Sequence, residues 1–456
     1  MAAMHERASL PGPRPLPIVG SLLEFREHGL LPIYLGHWRR YGDVISYRFG
    51  PQRAVAIVHP DHLREVFIRR RASYGKGLSV RNIRPLIGDG LFAADGDLWQ
   101  RQRRILQPLF TVAAVRAYGA AMGEAIDAFI ARWLALPPGE AVDLLPEMSH
   151  LAMDVICRTM FGMAAGAEAG ELSAAVSEAF HWVGERGVKL LPLPLRVPTP
   201  GNRAFLRAKA RIDRFIRRVI AERRRRGPRA DGGDLLDRLL QATDEESGER
   251  MLEEQVVNEV ITVFIAGHET TAVTLTWAWL LLAGHREVEA RLHAELDAVL
   301  SGQPPTIEAV PKLVYTRQVI DEALRLYPPV WLDPREAFAD EEIAGYPIPK
   351  GTLIMPMLYA THRHPEFWPD PERFDPERFS PERAQGRHPL AHVPFGGGPR
   401  VCLGMAFALQ EMVLAVAALG QRFRVRRAYG TLMDLDPKAG TLRPRWPSLV
   451  EVERRE

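Results

Sequence analysis

Apolar residues recur at three- and four-residue intervals along most of the chain, set among charged ones, which is the period of a helix with one buried face. With good helix formers between them, this spacing predicts helices over 120–134, 148–161, 203–226, 235–242, 253–283, 287–300, 315–326 and 403–421. Val, Ile and Tyr gather between turn residues in only a few places: 44–49 and 54–58, joined at Gly50-Pro51, and 343–355. The stretches 190–201 and 227–234 read as loops. No internal repeat is visible. Helices outnumber strands and both ends of the chain contribute strands. The expected architecture is therefore mainly α with a small β-sheet subdomain, a single domain over residues 1–456.

The longest apolar run, 256–283, carries His268 and Glu269 near its centre. A charge there would cost about 2.5–3.5 kcal/mol in lipid, so the run is read as a long helix inside a soluble protein. Basic and acidic side chains nearly cancel, 59 against 56, for a net charge of +3. That leaves no basic stripe for nucleic acid. Hydrophobic residues at 46% and charged residues at 25% suffice for a large core. Cys157 and Cys402 are the only cysteines, which excludes a disulfide scaffold and a zinc site of paired thiols. Residues 1–10 lack the apolar centre of a signal peptide and prolines break 11–20, so a cytoplasmic location is expected.

Candidate chemistry concentrates at 395–404, Phe-Gly-Gly-Gly-Pro-Arg-Val-Cys-Leu-Gly, followed at once by an apolar helical pattern. A lone Cys is most often a core thiol. Here the glycines permit a tight, positive-φ backbone around the sulfur, and the helix start behind it favours a thiolate. Such a loop, beside a flat surface, points to an axial ligand for haem iron. A second segment, Ala266-Gly267-His268-Glu269-Thr270-Thr271, lies in the long helix. It fails as a zinc motif, because His-Glu-x-x-His needs His where Ala272 stands. Gly267 is expected to let helix backbone approach a flat cofactor, and a Thr hydroxyl to bond a preceding carbonyl and open a kink.

The set Phe395, Gly398, Arg400, Cys402 and Gly404, spaced as F-x-x-G-x-R-x-C-x-G, resembles the cysteine-ligand loop of the cytochrome P450 enzymes. Residues 266–271 are similar to that family's oxygen-binding segment A-G-x-[DE]-T-T, and Glu322-Ala-Leu-Arg325 to its E-x-x-R. The tetrapeptide P-E-R-F, present twice in 371–379, is similar to the segment whose Arg joins that pair; Arg378 is favoured over Arg373. These motifs occur in the family's order over nearly the whole chain. The resemblance implies the cytochrome P450 fold and heme b (iron protoporphyrin IX), with Cys402 as the metal ligand. It implies Glu269 and Thr270 as the catalytic acid and alcohol that deliver protons, with Ala266, Gly267, Phe395, Gly396 and Gly404 bordering the cofactor. Trp99 and Arg103, spaced W-x-x-x-R, are expected at one haem propionate with Arg400, and Arg335 at the other. His268 is read as packing or solvent-facing.

The resemblance further implies a monooxygenase that hydroxylates or epoxidises a small hydrophobic substrate, a fatty acid or terpenoid. Electrons would come from NAD(P)H through a separate ferredoxin or flavodoxin with its reductase. The segment beyond Cys402 is too short for a fused flavin reductase, and the chain carries neither a Walker A loop nor a G-x-S-x-G elbow. The alternatives are a peroxide-driven peroxygenase, an isomerase, or a non-catalytic haem-binding protein. The resemblance places the substrate near 81–92, the helices around 190–201, 264–270, 329–332 and a turn near Gly440. Arg81 or Arg84 is a candidate anchor for a carboxylate. Arg101 and Arg104 are candidates for docking an acidic electron carrier, and a monomer is expected.

Overall fold

The computed structural model describes residues 10–455 except 138, 189–192, 228–232, 429, 432, 437–439 and 446. All the expected helices occur with slightly shifted ends: Gly119–Leu134, Leu144–Phe161, Pro200–Arg226, Leu235–Gln241, Glu253–Leu282, Arg286–Leu300, Val314–Leu326 and Met405–Arg422. Pro200–Arg226 begins inside a stretch expected to be loop. The Thr199 hydroxyl accepts from the Asn202 amide and caps it, and Pro200 presets the first turn. The centres of both expected loops, 189–192 and 228–232, lie outside the described residues. Helices Leu30–Tyr41, Gly96–Leu106 and Ala169–Val188 add to the list. In the last, Ala, Gly and Ser dilute the apolar period, which is why the pattern hid it.

The described strands are β1 (Val44–Phe49), β2 (Gln52–Ile57), β3 (Tyr74–Gly75), β4 (Ala141–Asp143), β5 (Arg335–Ala337), β6 (Glu341–Ile343), β7 (Tyr346–Ile348), β8 (Leu353–Pro356), β9 (Phe423–Arg427) and β10 (Leu449–Arg454). They form a five-stranded sheet in the order β1-β2-β8-β5-β3, a three-stranded sheet β4-β10-β9, and the β6-β7 hairpin. The expected 343–355 strand region is thus divided, with Ala344 and Gly345 both at positive φ in the turn. Along β2, Val55 and Ile57 enter one apolar cluster while Ala54 and Ala56 enter another, so the pleat buries both faces of the sheet.

The Glu253–Leu282 helix runs through the largest core, packed by Leu144–Phe161, Val314–Leu326 and Met405–Arg422. Among the described residues no helix is long and apolar enough to cross a membrane. Cys157 lies in this core, where burial pushes its thiol up to about 12 and leaves it unreactive.

Glu259 on the same helix is also fully buried. Its carboxylate accepts from the Leu91 amide at 3.0 Å, and burial pushes it up to about 7. The unfolded chain ionises this group first, from its ordinary 4.5, so stability falls as pH rises from there to about 7 and is level above. Glu259→Gln is expected to remove that fall and to exceed the native protein by roughly 3 kcal/mol at pH 8. Urea unfolding of both proteins across this range checks it; parallel pH profiles would contradict it.

Candidate active site

From Glu259 to Leu282 the long helix is buried except at Val263, Ala266, Gly267 and Thr270. These positions, i, i+3, i+4 and i+7, make one stripe. An accessible stripe in the middle of a buried helix borders an internal hollow. The Thr270 hydroxyl donates to the Ala266 carbonyl at 2.7 Å, the backbone bond expected of a mid-helix Thr, within a helix that continues to Leu282. Gly267 has a packing role besides its place on the stripe. A Cβ there would stand 2.9 Å from Ile156 Cδ1, so the missing side chain makes room for the neighbouring Leu144–Phe161 helix.

Glu269 has other company. It is buried and accepts from Thr441 Oγ1 at 3.0 Å, with an Arg443 nitrogen 4.0 Å away. Burial pushes its carboxyl above the ordinary range, opposed by the Arg443 charge and the Thr441 hydrogen bond. His268 is a packing residue. Its Nε2 lies 3.1 Å from the Ser149 carbonyl and 3.2 Å from Ser173 Oγ, and burial brings it down to about 4, neutral at ordinary pH.

The cysteine loop is shaped by Gly398. Its φ is +66°, and a Cβ would meet the Phe67 carbonyl oxygen at 1.9 Å, so no other residue fits. Phe395 packs against the helical core and its carbonyl accepts from the Cys402 amide at 2.9 Å; Gly404 leads into the Met405–Arg422 helix. Arg103 donates to the Val401 carbonyl at 3.0 Å. Cys402 is accessible although protein surrounds it on all sides, the signature of a side chain facing an interior hollow. Burial raises its thiol, opposed by the Gly404 amide and the Arg103 charge.

Beside this loop lies a cluster of cations. Arg335 is buried and paired with Asp333, whose carboxylate also receives Lys76 Nζ at 2.9 Å. Arg400 donates to Asp95 at 2.5 Å and to the Ala94 carbonyl at 3.0 Å, its guanidinium 4.5 Å over the Trp99 ring. Gly396 abuts Asp333. Among the described residues, Lys76, Arg335 and Arg400 thus share only the carboxylates of Asp333 and Asp95. Burial, with Arg335 close by, brings Lys76 down to about 8 despite Asp333, and three cations here face two carboxylates. The sequence reading missed Lys76, a single Lys between two glycines that carries no spacing signal.

Arg325 grips Glu322 through two hydrogen bonds of 2.6 and 2.7 Å, both residues fully buried. Arg378 brings its side chain to 3.4 Å from Glu322, whereas Arg373 offers only its carbonyl to Arg325. Arg101 and Arg104 do not form a free basic face. Arg101 meets Glu249 at 3.4 Å, and Arg104 meets Asp244 and Glu246 at 3.0 Å. Arg84 is paired with Asp89 at 3.3 Å, while Arg81 is exposed. His59, His364 and Glu366 bring donor atoms within 4.8 Å of one another, but internal pairs account for them: His59 with Glu366, and His364 with Asp43.

Comparison with known proteins agrees with this geometry. The family model for cytochrome P450 matches residues 10–450. The cyclooctat-9-en-7-ol 5-monooxygenase of Streptomyces melanosporofaciens is 40% identical, over 89% of this chain and 90% of its own. The pentalenene oxygenase of Streptomyces avermitilis is 34% identical, over 93% and 92%. The crystal structure of the cytochrome P450DA heme domain superposes with a TM-score of 0.88 at 30% identity, covering 98% of both chains. An enclosed yet accessible thiol on a glycine-shaped loop, in a fold whose central helix carries its own accessible stripe, therefore has a known context: the chain belongs to the cytochrome P450 family, haem-iron monooxygenases that insert one oxygen atom into a substrate.

Proposed function

We propose that this monooxygenase hydroxylates or epoxidises a cyclic terpenoid hydrocarbon or alcohol, taking electrons from NAD(P)H through a separate ferredoxin or flavodoxin and its reductase. The observation that carries the site assignment is the accessible Cys402 within an otherwise enclosed interior. Cys402 holds the haem iron through its sulfur. Lys76, Arg335 and Arg400, with Trp99 and Arg103, hold the two propionates, whose charge the cation cluster lacks. Ala266, Gly267, Phe395, Gly396 and Gly404 border the ring. Haem, when bound, supplies reductive activation of O2 and transfer of one oxygen atom.

The protein's own part is binding, exclusion of water and proton supply. The apolar walls of the Glu253–Leu282 helix keep the hollow dry, and Thr270 presents the hydroxyl on its accessible stripe. Glu269, one residue away and buried, holds the proton that Thr270 passes on. The choice of a terpenoid over a fatty acid rests on the relatives named for cyclooctat-9-en-7-ol and pentalenene. The protein is proposed to act as a cytoplasmic monomer.

Titration of the haem-loaded protein with cyclic terpene alcohols is expected to shift the iron spin state, where straight-chain fatty acids give a smaller shift. Turnover is expected to require O2 and a reductase pair. Product formed with peroxide, but never with reductase partners, would contradict the reading in favour of a peroxygenase. Thr270→Ala is expected to lower the oxygen-dependent rate roughly 10²-fold while peroxide leakage rises, as loss of a proton donor does. Unchanged product per electron would contradict Thr270's role.

A further inference from the structure

The Glu269 carboxylate is absent from the accessible stripe that Thr270 shares, and its polar partners come from the C-terminal turn at 440–443. This turn is firmly held. The Leu442 amide donates to the Pro329 carbonyl at 3.0 Å, and the Leu442 carbonyl accepts from Trp277 Nε1, on the Glu253–Leu282 helix, at 2.7 Å. Trp277 in turn stacks on Tyr327 with ring centres 3.7 Å apart. Gly440 packs against the Phe180 carbonyl of the Ala169–Val188 helix.

Thr441 and Arg443 both address the same Glu269 oxygen, at 3.0 and 4.0 Å. Arg443 also binds Asp436 at 3.2 Å. The side chains are progressively wetter along this row, 3% accessible at Glu269, 18% at Arg443 and 24% at Asp436. Among the described residues, Arg443 is the charged group whose field acts on Glu269. Without such a partner, burial alone would hold the carboxyl further toward its protonated form.

We propose that the C-terminal turn is the proton entrance of the active site: Arg443 keeps Glu269 able to take protons arriving along the Asp436–Arg443 edge, while Thr441 fixes the waiting carboxylate. A solvent acid gives up the proton, Glu269 becomes a carboxylic acid, and release toward the Thr270 hydroxyl restores the carboxylate. Arg443 retains its own proton throughout and acts as a positioning residue. The inference rests on the proposed Glu269–Thr270 pair. Because the turn also borders the expected substrate region, it ties proton entry to the substrate side of the protein.

The test compares Arg443→Gln, Arg443→Lys and Glu269→Gln in the haem-loaded protein. In infrared titration of the resting ferric protein, the carboxyl band that disappears in Glu269→Gln is expected to titrate at least about one pH unit higher in Arg443→Gln. It should return toward the native value in Arg443→Lys. Peroxide leakage during oxygen-driven turnover should rise several-fold in Arg443→Gln and recover in Arg443→Lys, with peroxide-driven turnover little changed. An unmoved carboxyl titration, or equal losses in oxygen- and peroxide-driven turnover, overturns the inference. If Glu269→Gln itself fails to leak peroxide, the proton-pair reading fails first; if it leaks and Arg443→Gln does not, only the entrance is lost.

Discussion

Cys402→Ser is expected to leave a folded protein that has lost all measurable oxygen-dependent monooxygenation. The thiol is accessible and belongs to none of the described apolar core clusters, so a change of S to O there should alter the stability of the haem-free protein by no more than about 0.5 kcal/mol. The functional loss is total because a thiolate ligand donates electron density that a hydroxyl does not. Circular dichroism and unfolding of the haem-free variant, beside turnover of the loaded one, separate the two effects. Retained turnover would contradict the role of Cys402. A collapse of the fold would instead make the residue structural.

Arg325→Ala carries the largest expected effect on stability. It strands a fully buried Glu322 carboxylate and removes the donor to the carbonyls of His362, Pro371 and Arg373. Breaking one side of a buried pair costs roughly 3–5 kcal/mol, against a total stability of about 5–15 kcal/mol. The damage also reaches the cysteine loop. His362 bonds the Arg325 carbonyl through Nδ1 and accepts the Val393 amide at Nε2 at 2.9 Å, and the Val393 carbonyl in turn receives the Gly396 amide at 3.0 Å. Haem affinity should therefore fall together with stability. Urea unfolding and haem titration measure both; a loss below about 1 kcal/mol with unchanged haem affinity would contradict this link.

Much of this was legible in the residues. The long helices announced themselves by period, and the cysteine loop by glycines around a single sulfur before a helix. The Glu322–Arg325 pair could be named, but its burial was invisible, since i, i+3 pairs are usually solvated. The strands β9 and β10 alternate, as FRVRR and LVEVER do, but their Arg and Glu residues hide the pattern beneath a charged composition. Lys76, Asp95 and Asp333 lie far apart in sequence and meet only through folding. Arg101 and Arg104 show the reverse: a basic segment whose partners, Glu249, Asp244 and Glu246, come from a distant turn. For Gly267, the sequence told that a side chain was unwelcome but not which neighbour excluded it.

The most direct test is the absorption spectrum of the reduced, carbon-monoxide-bound native protein. Thiolate ligation by Cys402 should give the red-shifted Soret band characteristic of a sulfur ligand, and Cys402→Ser should abolish that band. An imidazole-type Soret band in the folded native protein, or a purified protein that neither contains nor takes up haem, would contradict it.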